Sequence, residues 1–275
     1  VTTALYPPVY VAAPAVTPYG AGLYSVAQLP AEPGDRWQTG VEYEPDGCAE
    51  AASVWVDSCV PGDRADKDVP EGIPVASGDP FTVIGGLVCR LVGHTEAELM
   101  ARARRNLELG EQRAVETAFW GGALGNTPHL ADTSTTVVSG AAGLSLVDGV
   151  GLLEEHLATN YAGVGVLHAA RRVAAPAAQK VQAVKESGRL VTNLGTRWAF
   201  YGGAPNTGPD GTPAAAGSAW IYATGEVVIR RSEIWMPDVG ELLNRTTNEV
   251  ALIAERTVVI TTECITAAAL VDLAA

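Results

Sequence analysis

Apolar and polar positions change their pattern several times along the chain. Residues 1–31 carry no charged side chain. Leu5, Tyr6, Val9, Tyr10, Val11, Val16, Tyr19, Leu23, Tyr24, Val26 and Leu29 recur through them, and Pro7, Pro8, Pro14, Pro18 and Pro30 forbid a continuous helix. A disordered linker is polar and charged, and this stretch is neither. It reads as an extended arm whose apolar side chains need cover, from the same chain or from a neighbour.

Residues 41–80 hold ten acids and two bases, a balance of −8. β-like pieces at Trp37–Glu44 and Ser53–Val60 alternate with turn signals at Pro45-Asp46-Gly47, Pro61-Gly62-Asp63 and Val69-Pro70-Glu71-Gly72. The pattern predicts a long two-stranded excursion from the body of the protein. A loop of this length is uncommon in a compact domain unless it has a function or is disordered.

Phe81–Val92 reads as a strand, with a bulge expected at Gly85-Gly86. Thr95–Trp120 is the strongest helix signal. Thr95 and Glu98 form a capping box, and Leu99, Ala103, Leu107, Ala114 and Ala118 recur near helical spacing. Gly110 costs ~1 kcal/mol relative to Ala, and Gly121-Gly122 ends the helix. Such a helix would run on the order of 35–40 Å.

The remainder alternates. Ser145–Asn160 predicts a helix and Gly163–Leu167 a short buried strand. Ala169–Ser187 predicts an Ala-rich helix interrupted near Pro176. Residues 202–217 read as a loop. Ala219–Ala223 and Glu226–Arg231 read as a hairpin across Thr224-Gly225, and Glu249–Thr262 as a strand leading into an apolar tail. The class is α+β, with no internal repeat.

Composition narrows the picture. A chain of 275 residues with 47% hydrophobic and 18% charged residues is globular and buries a large core. A net charge of −13 argues against a broad nucleic-acid-binding surface, but not against a container around DNA. No apolar stretch free of Pro reaches the ~20 residues that span a bilayer. The start carries no signal-peptide pattern, and the first residue, Val1, implies that an initiator Met or a longer leader has been removed. These features read as a protein made and assembled in the cytoplasm. Cys48, Cys59, Cys89 and Cys264 lack the Cys-x-x-Cys spacing of a zinc or redox motif. Cys48 and Cys59 are close enough in sequence to pair, although reduced thiols are expected in the cytosol.

Catalytic motifs are absent from the sequence. It has no phosphate loop, His-Glu-x-x-His or Gly-x-Ser-x-Gly. His94, His129, His156 and His168 are scattered singly, so no metal site or cofactor is expected. An acid–base constellation of Glu154, Glu155, His156 and His168 is the one enzyme-like alternative. Lys67 sits among Asp63, Asp66 and Asp68, where local charge balance explains it.

The order of parts, together with several local stretches, resembles a known family. Ala101-Arg102-Ala103-Arg104-Arg105 through Gly110-Glu111-Gln112-Arg113-Ala114-Val115-Glu116 and Phe119-Trp120 looks like the spine helix of actinobacterial-phage capsid proteins. Tyr161-Ala162-Gly163-Val164-Gly165-Val166-Leu167-His168 looks like their axial-domain core strand. Asn193-Leu194-Gly195-Thr196 and Phe200-Tyr201-Gly202-Gly203 follow in the same order, and Ala254-Glu255-Arg256-Thr257-Val258-Val259-Ile260 resembles the closing peripheral-domain strand. The chain thus resembles tailed-bacteriophage major capsid proteins of the Hong Kong 97-type fold, with N-arm, E-loop, spine helix, P-domain and A-domain.

The resemblance implies an arm over 1–40 and an extended loop over 41–80. It implies a peripheral domain over 81–142 and 242–275, with the spine helix at about 95–120, and an axial domain over 143–241. It further implies a non-enzymatic shell subunit, found in the virion, that forms hexamers and pentamers of an icosahedral or prolate capsid enclosing DNA. Portal, scaffolding and decoration proteins would be its partners, and no membrane would be involved. Tyr6, Tyr10, Tyr19 and Trp55 would be buried between subunits. Some family members join a loop Lys to an Asn of another subunit, and Lys67 is the residue here that would fill that role. The encapsulin nanocompartment shell, which resembles the same fold, is the nearest alternative, and a minor virion component such as a decoration protein is a further one.

Overall fold

The computed structural model describes residues 11, 13–31, 36–49, 51, 71–90, 93–140, 143–181, 184–186, 188–238, 243–244 and 246–274. In chain order the strands and helices are β1 (Val41–Tyr43), β2 (Ala76–Gly78), β3 (Pro80–Arg90), α1 (Glu96–Gly121), β4 (Thr136–Val137), β5 (Leu144–Ser145) and α2 (Leu146–Asn160). They continue with β6 (Val166–Ala170), α3 (Ala174–Lys180), β7 (Val184–Glu186), β8 (Arg189–Val191), β9 (Arg197–Tyr201), β10 (Ser218–Thr224), β11 (Val227–Arg231), β12 (Leu243–Asn244), β13 (Glu249–Thr262) and β14 (Thr266–Asp272). The class is α+β, as the sequence implies. No described helix is long and apolar enough to cross a membrane.

Helix α1 starts where its cap demands. The Thr95 side chain accepts from the Glu98 amide, and the Glu98 carboxylate accepts from the Thr95 amide. This reciprocal pair satisfies two donors that the first turn leaves open. At the other end Gly122 takes a left-handed conformation (φ 63°), which a side chain would disfavour, and its amide closes on the Ala118 carbonyl.

Strand β13 organises the first sheet. Strand β3 lies antiparallel along one edge of it, from Pro80 opposite Val259 to Arg90 opposite Glu249. Strands β11 and β12 share the other edge. The inner face of β3 (Phe81, Val83, Leu87) meets α1, and the outer face exposes Ile84 and Val88. The pairing runs through Gly85 and Gly86 in unbroken register, so the bulge expected there does not form. The two glycines serve close approach instead. A Cβ on Gly85 would stand 2.5 Å from the Leu107 Cα of α1, and one on Gly86 would stand 2.2 Å from the Leu252 carbonyl oxygen.

The second sheet has eight strands, in the order β4-β14-β10-β6-β9-β8-β7, with β5 also on β14. Its central strands are buried on both faces. Leu167, Ala169, Trp198, Phe200, Ala219, Ile221, Ala267 and Ala269 pack with Leu146, Val150, Leu153 and Leu157 of α2. Val166, Ala199, Tyr201, Tyr222 and Ala268 turn the other way, towards Phe119 and Trp120 of α1. Two-sided burial explains why these strands read as apolar runs rather than as alternating patterns.

Four sequence expectations are corrected here. The segments around Thr224-Gly225 are both strands but not a hairpin, because β10 pairs with β6 and β14 while β11 pairs with β13. The chain passes from one sheet to the other at that turn. Among its described residues the Ala-rich stretch 169–187 is helical as a turn at Arg171–Val173 and as α3, and β7 follows. Its first residues complete β6, which starts at Val166 rather than Gly163. Cys48 pairs with Cys264, 216 positions away, and neither with Cys59 nor as a free thiol. The Cys59 position lies outside the described residues, as does Ser53–Val60.

Candidate assembly surfaces

Two carboxylates on the buried side of α1 organise the seam between the sheets. Glu116 is fully buried. It accepts from the Tyr19 hydroxyl (2.7 Å), the Leu23 amide (3.0 Å), the Gly202 amide (2.7 Å) and Gln112 Nε2 (2.9 Å). Four donors replace the water that a buried carboxylate gives up. One turn earlier, Glu111 accepts from the Tyr24 hydroxyl (2.8 Å), Arg231 Nη1 (3.0 Å) and Arg256 Nη1 (2.8 Å).

These contacts hold residues 19–28 as a strap. Leu23 and Val26 are buried in the core beneath it. At one end the Phe200 amide donates to the Ala21 carbonyl (2.7 Å), and the Arg171 guanidinium sits 4.9 Å over the Tyr19 ring. At the other end Gln28 bonds the Val227 carbonyl and the Ile229 amide of β11, each at 2.9 Å. The strap therefore touches β9 of the large sheet and β11 of the small one. Gly22 leaves room for these groups, since a Cβ there would stand 2.0 Å from Gln112 Nε2 and 2.3 Å from Glu116 Oε1 and would displace them. Burial, then the hydrogen bond and charge of Glu116, push the Tyr19 phenol pKa well up. For Tyr24 burial leads, followed by the charge of Glu111 and its hydrogen bond, with the same result.

Arg197 and Glu226 form an ion pair beside the strap. Burial works to raise the Glu226 pKa, and hydrogen bonds from Arg197 and Gln28 outweigh it and leave the pKa below the ordinary carboxylate value.

A second anchored region is the base of the acidic excursion. Strands β1 and β2 pair antiparallel, Val41 with Gly78 and Tyr43 with Ala76; of the residues between them, 50 and 52–70 lie outside the described residues. The Tyr43 hydroxyl donates to the Thr262 carbonyl at 2.5 Å. The Gly47 amide donates to Glu263 Oε2 (3.2 Å), and the Ala162 amide to the Gly47 carbonyl (2.7 Å). Ile73 and Val75, just before β2, are exposed.

The residues of the enzyme-like alternative do not converge. His168 is fully buried, with Nδ1 2.7 Å from the Tyr201 hydroxyl and Nε2 2.8 Å from Thr224 Oγ1. Burial, then the charge of Arg197, lowers its pKa to about 3, so the ring is neutral. Glu154 accepts from Thr192 Oγ1, and His156 sits on the exposed side of α2 near Asn160. Among the described residues no group of three His, Cys, Asp or Glu is placed to hold a metal ion.

Of the residues singled out in the sequence as contacts between copies, Tyr19 lies half-buried in the strap. Tyr6, Tyr10, Trp55 and Lys67 lie outside the described residues. Sequence reasoning missed Glu111, Glu116 and the strap. The signal available was that Glu111 falls on the i, i+4 row of Leu107, Val115 and Phe119, and that Glu116 follows Val115 directly.

No protein-family model matches the chain, and no curated protein matches it. Solved structures do. The capsid of a native GTA particle shares 14% identity and a TM-score of 0.62, covering 98% of this chain and 95% of that one. This is a phage-capsid fold. A protein of Microbacterium phage Oxtober96 shares 12% identity and a TM-score of 0.57, over 97% of this chain and 95% of that one. The capsid of Ralstonia phage GP4 shares 10% identity and a TM-score of 0.51, over 98% of each chain.

On the capsid fold the apolar groups left exposed fall in several places. Val11 and Val16 precede the strap. Ile73 and Val75 precede β2. Ile84, Val88 and Trp235 lie on the first sheet and beside it, Trp235 bridging to Glu255 of β13. Single exposed apolar residues are ordinary, and here Glu255 stands between Ile84 and Trp235.

Proposed function

We propose that the chain is the major subunit of a phage-type capsid, a structural protein whose copies close into an icosahedral or prolate shell around DNA. The observation that carries this reading is the capsid fold matched over nearly the full length of both chains. In the proposed shell the subunits form hexamers and pentamers. The arm is 1–40, the extended loop 41–80, the peripheral domain 81–142 and 242–275, and the axial domain 143–241. The final strand, β14, joins the sheet of the axial segment. Tyr6, Tyr10, Tyr19, Trp55 and Lys67 are the residues we assign to contacts between copies. Portal, scaffolding and decoration proteins complete the set of partners, and the protein resides in the virion without catalysis.

The exposed apolar groups support the reading. Each is a modest contact, and repetition around a closed shell multiplies modest contacts into a stable whole. Electron microscopy of purified recombinant protein is the direct test. Closed, head-sized particles are expected. A stable monomer or dimer under all assembly conditions would remove the proposal, and small shells loaded with a cargo enzyme would favour an encapsulin instead.

A further inference from the structure

The Cys48–Cys264 bond joins two places the chain reaches independently. Cys48 lies just beyond β1, where the excursion departs, and Cys264 lies in the turn between β13 and β14. Their Cα atoms are 6.0 Å apart although 216 positions separate them in sequence. The same junction carries the Tyr43, Gly47 and Ala162 hydrogen bonds described above. The two cysteines face an open cleft of about 730 Å³, lined also by His156, Asn160, Tyr161 and Thr266. Cys264 is exposed and Cys48 half-buried, so the pair is not sealed in the core.

We propose that Cys48 and Cys264 form a redox latch, open as two thiols when the chain folds and closed as a disulfide afterwards. Closure fastens the base of the excursion to the β13–β14 turn. That closure follows assembly in a reducing cytosol and accompanies release rests on the capsid reading; the latch itself does not.

The chemistry is thiol–disulfide exchange with a low-molecular-weight disulfide of the glutathione class. One cysteine thiolate attacks that disulfide, forms a mixed disulfide and expels one small thiolate. The second cysteine thiolate attacks the protein sulfur of the mixed disulfide and expels the other. Two cysteine thiols are oxidised, one small disulfide is reduced to two thiols, and the two protons end on the released thiols.

The position of the bond explains why it acts as a latch. Before it forms, the junction is held by hydrogen bonds of a kind worth little net stability each. Once formed, the bond closes a loop that includes most of the chain, so the unfolded ensemble loses freedom and local opening at the junction is suppressed. Cys89, half-buried on β3, is a free cysteine and supplies an internal control for labelling.

The test compares full-length protein kept reduced with the same protein treated with glutathione disulfide. Alkylation and peptide mapping should find Cys48 joined to Cys264 only after oxidation, with Cys89 still a thiol. Exchange of the Gly47 and Ala162 amides should slow, and the denaturant midpoint should rise. In Cys48→Ser and Cys264→Ser the oxidant should produce neither change, and both variants should behave like the reduced parent. The latch is overturned if the oxidant fails to join the pair, or if joining it leaves exchange and midpoint unmoved. Oxidant-dependent protection in protein that never forms particles would keep the latch and remove the capsid reading. Particles from protein whose junction ignores the oxidant would do the reverse.

Discussion

Glu111 has two arginines and a tyrosine on its two oxygens, and it is 3% exposed. Removing one member of a buried charged set costs more than the set contributes as a whole, because the remaining charges lose their partner but not their burial. Glu111→Ala should therefore lower stability by roughly 3–5 kcal/mol, read as a lower urea midpoint at unchanged slope. Unaltered unfolding would show that water reaches Arg231 and Arg256 freely.

His168 gives a pH signature. Its folded pKa of about 3 lies below the model-peptide value of 6.5, so the unfolded chain takes up the proton first. The contribution is complete above the unfolded pKa and drains away as pH falls towards the folded one. From pH 6.5 down to about 5, where carboxylates still keep their charge, stability should decline measurably. His168→Gln should flatten that decline in urea titrations across the window, and a parent protein with no slope there would contradict a buried neutral imidazole.

At the scale of elements, β3 and α1 depend on a missing side chain. Leu107 occupies the space where a Gly85 side chain would stand, so Gly85→Ala must lift the helix or bend the strand. A loss of about 1–3 kcal/mol is expected by thermal or denaturant unfolding, whereas Gly110→Ala, where nothing lies within 4 Å, should instead stabilise the helix by up to ~1 kcal/mol.

The same pair shows how far local pattern carries. Thr95, Glu98 and the spacing of Leu99, Ala103 and Leu107 announce α1, because cap and periodicity are written within one segment. The β-branched run at Thr257–Ile260 announces β13 for the same reason. The Gly85-Gly86 pair announces only that a side chain is unwelcome, and a bulge or a close helix satisfies that equally. Pairing is a relation between distant segments. Nothing at Thr224-Gly225 distinguishes a hairpin from a crossing between sheets, and a cysteine 216 positions away leaves no spacing signal. Ala267–Ala269, weak strand formers, are strand residues because β10 flanks them and α2 covers one face. The candidate surfaces were legible as composition, an oily arm and an acidic excursion. Their anchors, Glu111 and Glu116, were not, because an acid in a helix looks the same whether it meets water or a strap.

Across the whole molecule, charge and apolar exposure act in opposite directions on association. The net charge is −13, and residues 41–80 contribute −8 of it, so copies approaching one another meet like charge. Salt shortens the reach of that repulsion to about 8–10 Å near physiological strength, and to ~3 Å at molar strength. It does not weaken contacts among groups such as Ile84, Val88 and Trp235, whose burial is driven by exclusion from water. Nor does it reach far into the Glu111 set within each copy, which is largely shielded from solvent. Raising ionic strength should therefore favour assembly while leaving the subunit intact. Light scattering of purified protein should climb as salt is added, and unfolding of the dissociated subunit should move little over the same range. Particles that dissolve on adding salt would mean that attraction between opposite charges holds the copies together, and the acidic excursion would then have to lie against the exposed arginines of its neighbours.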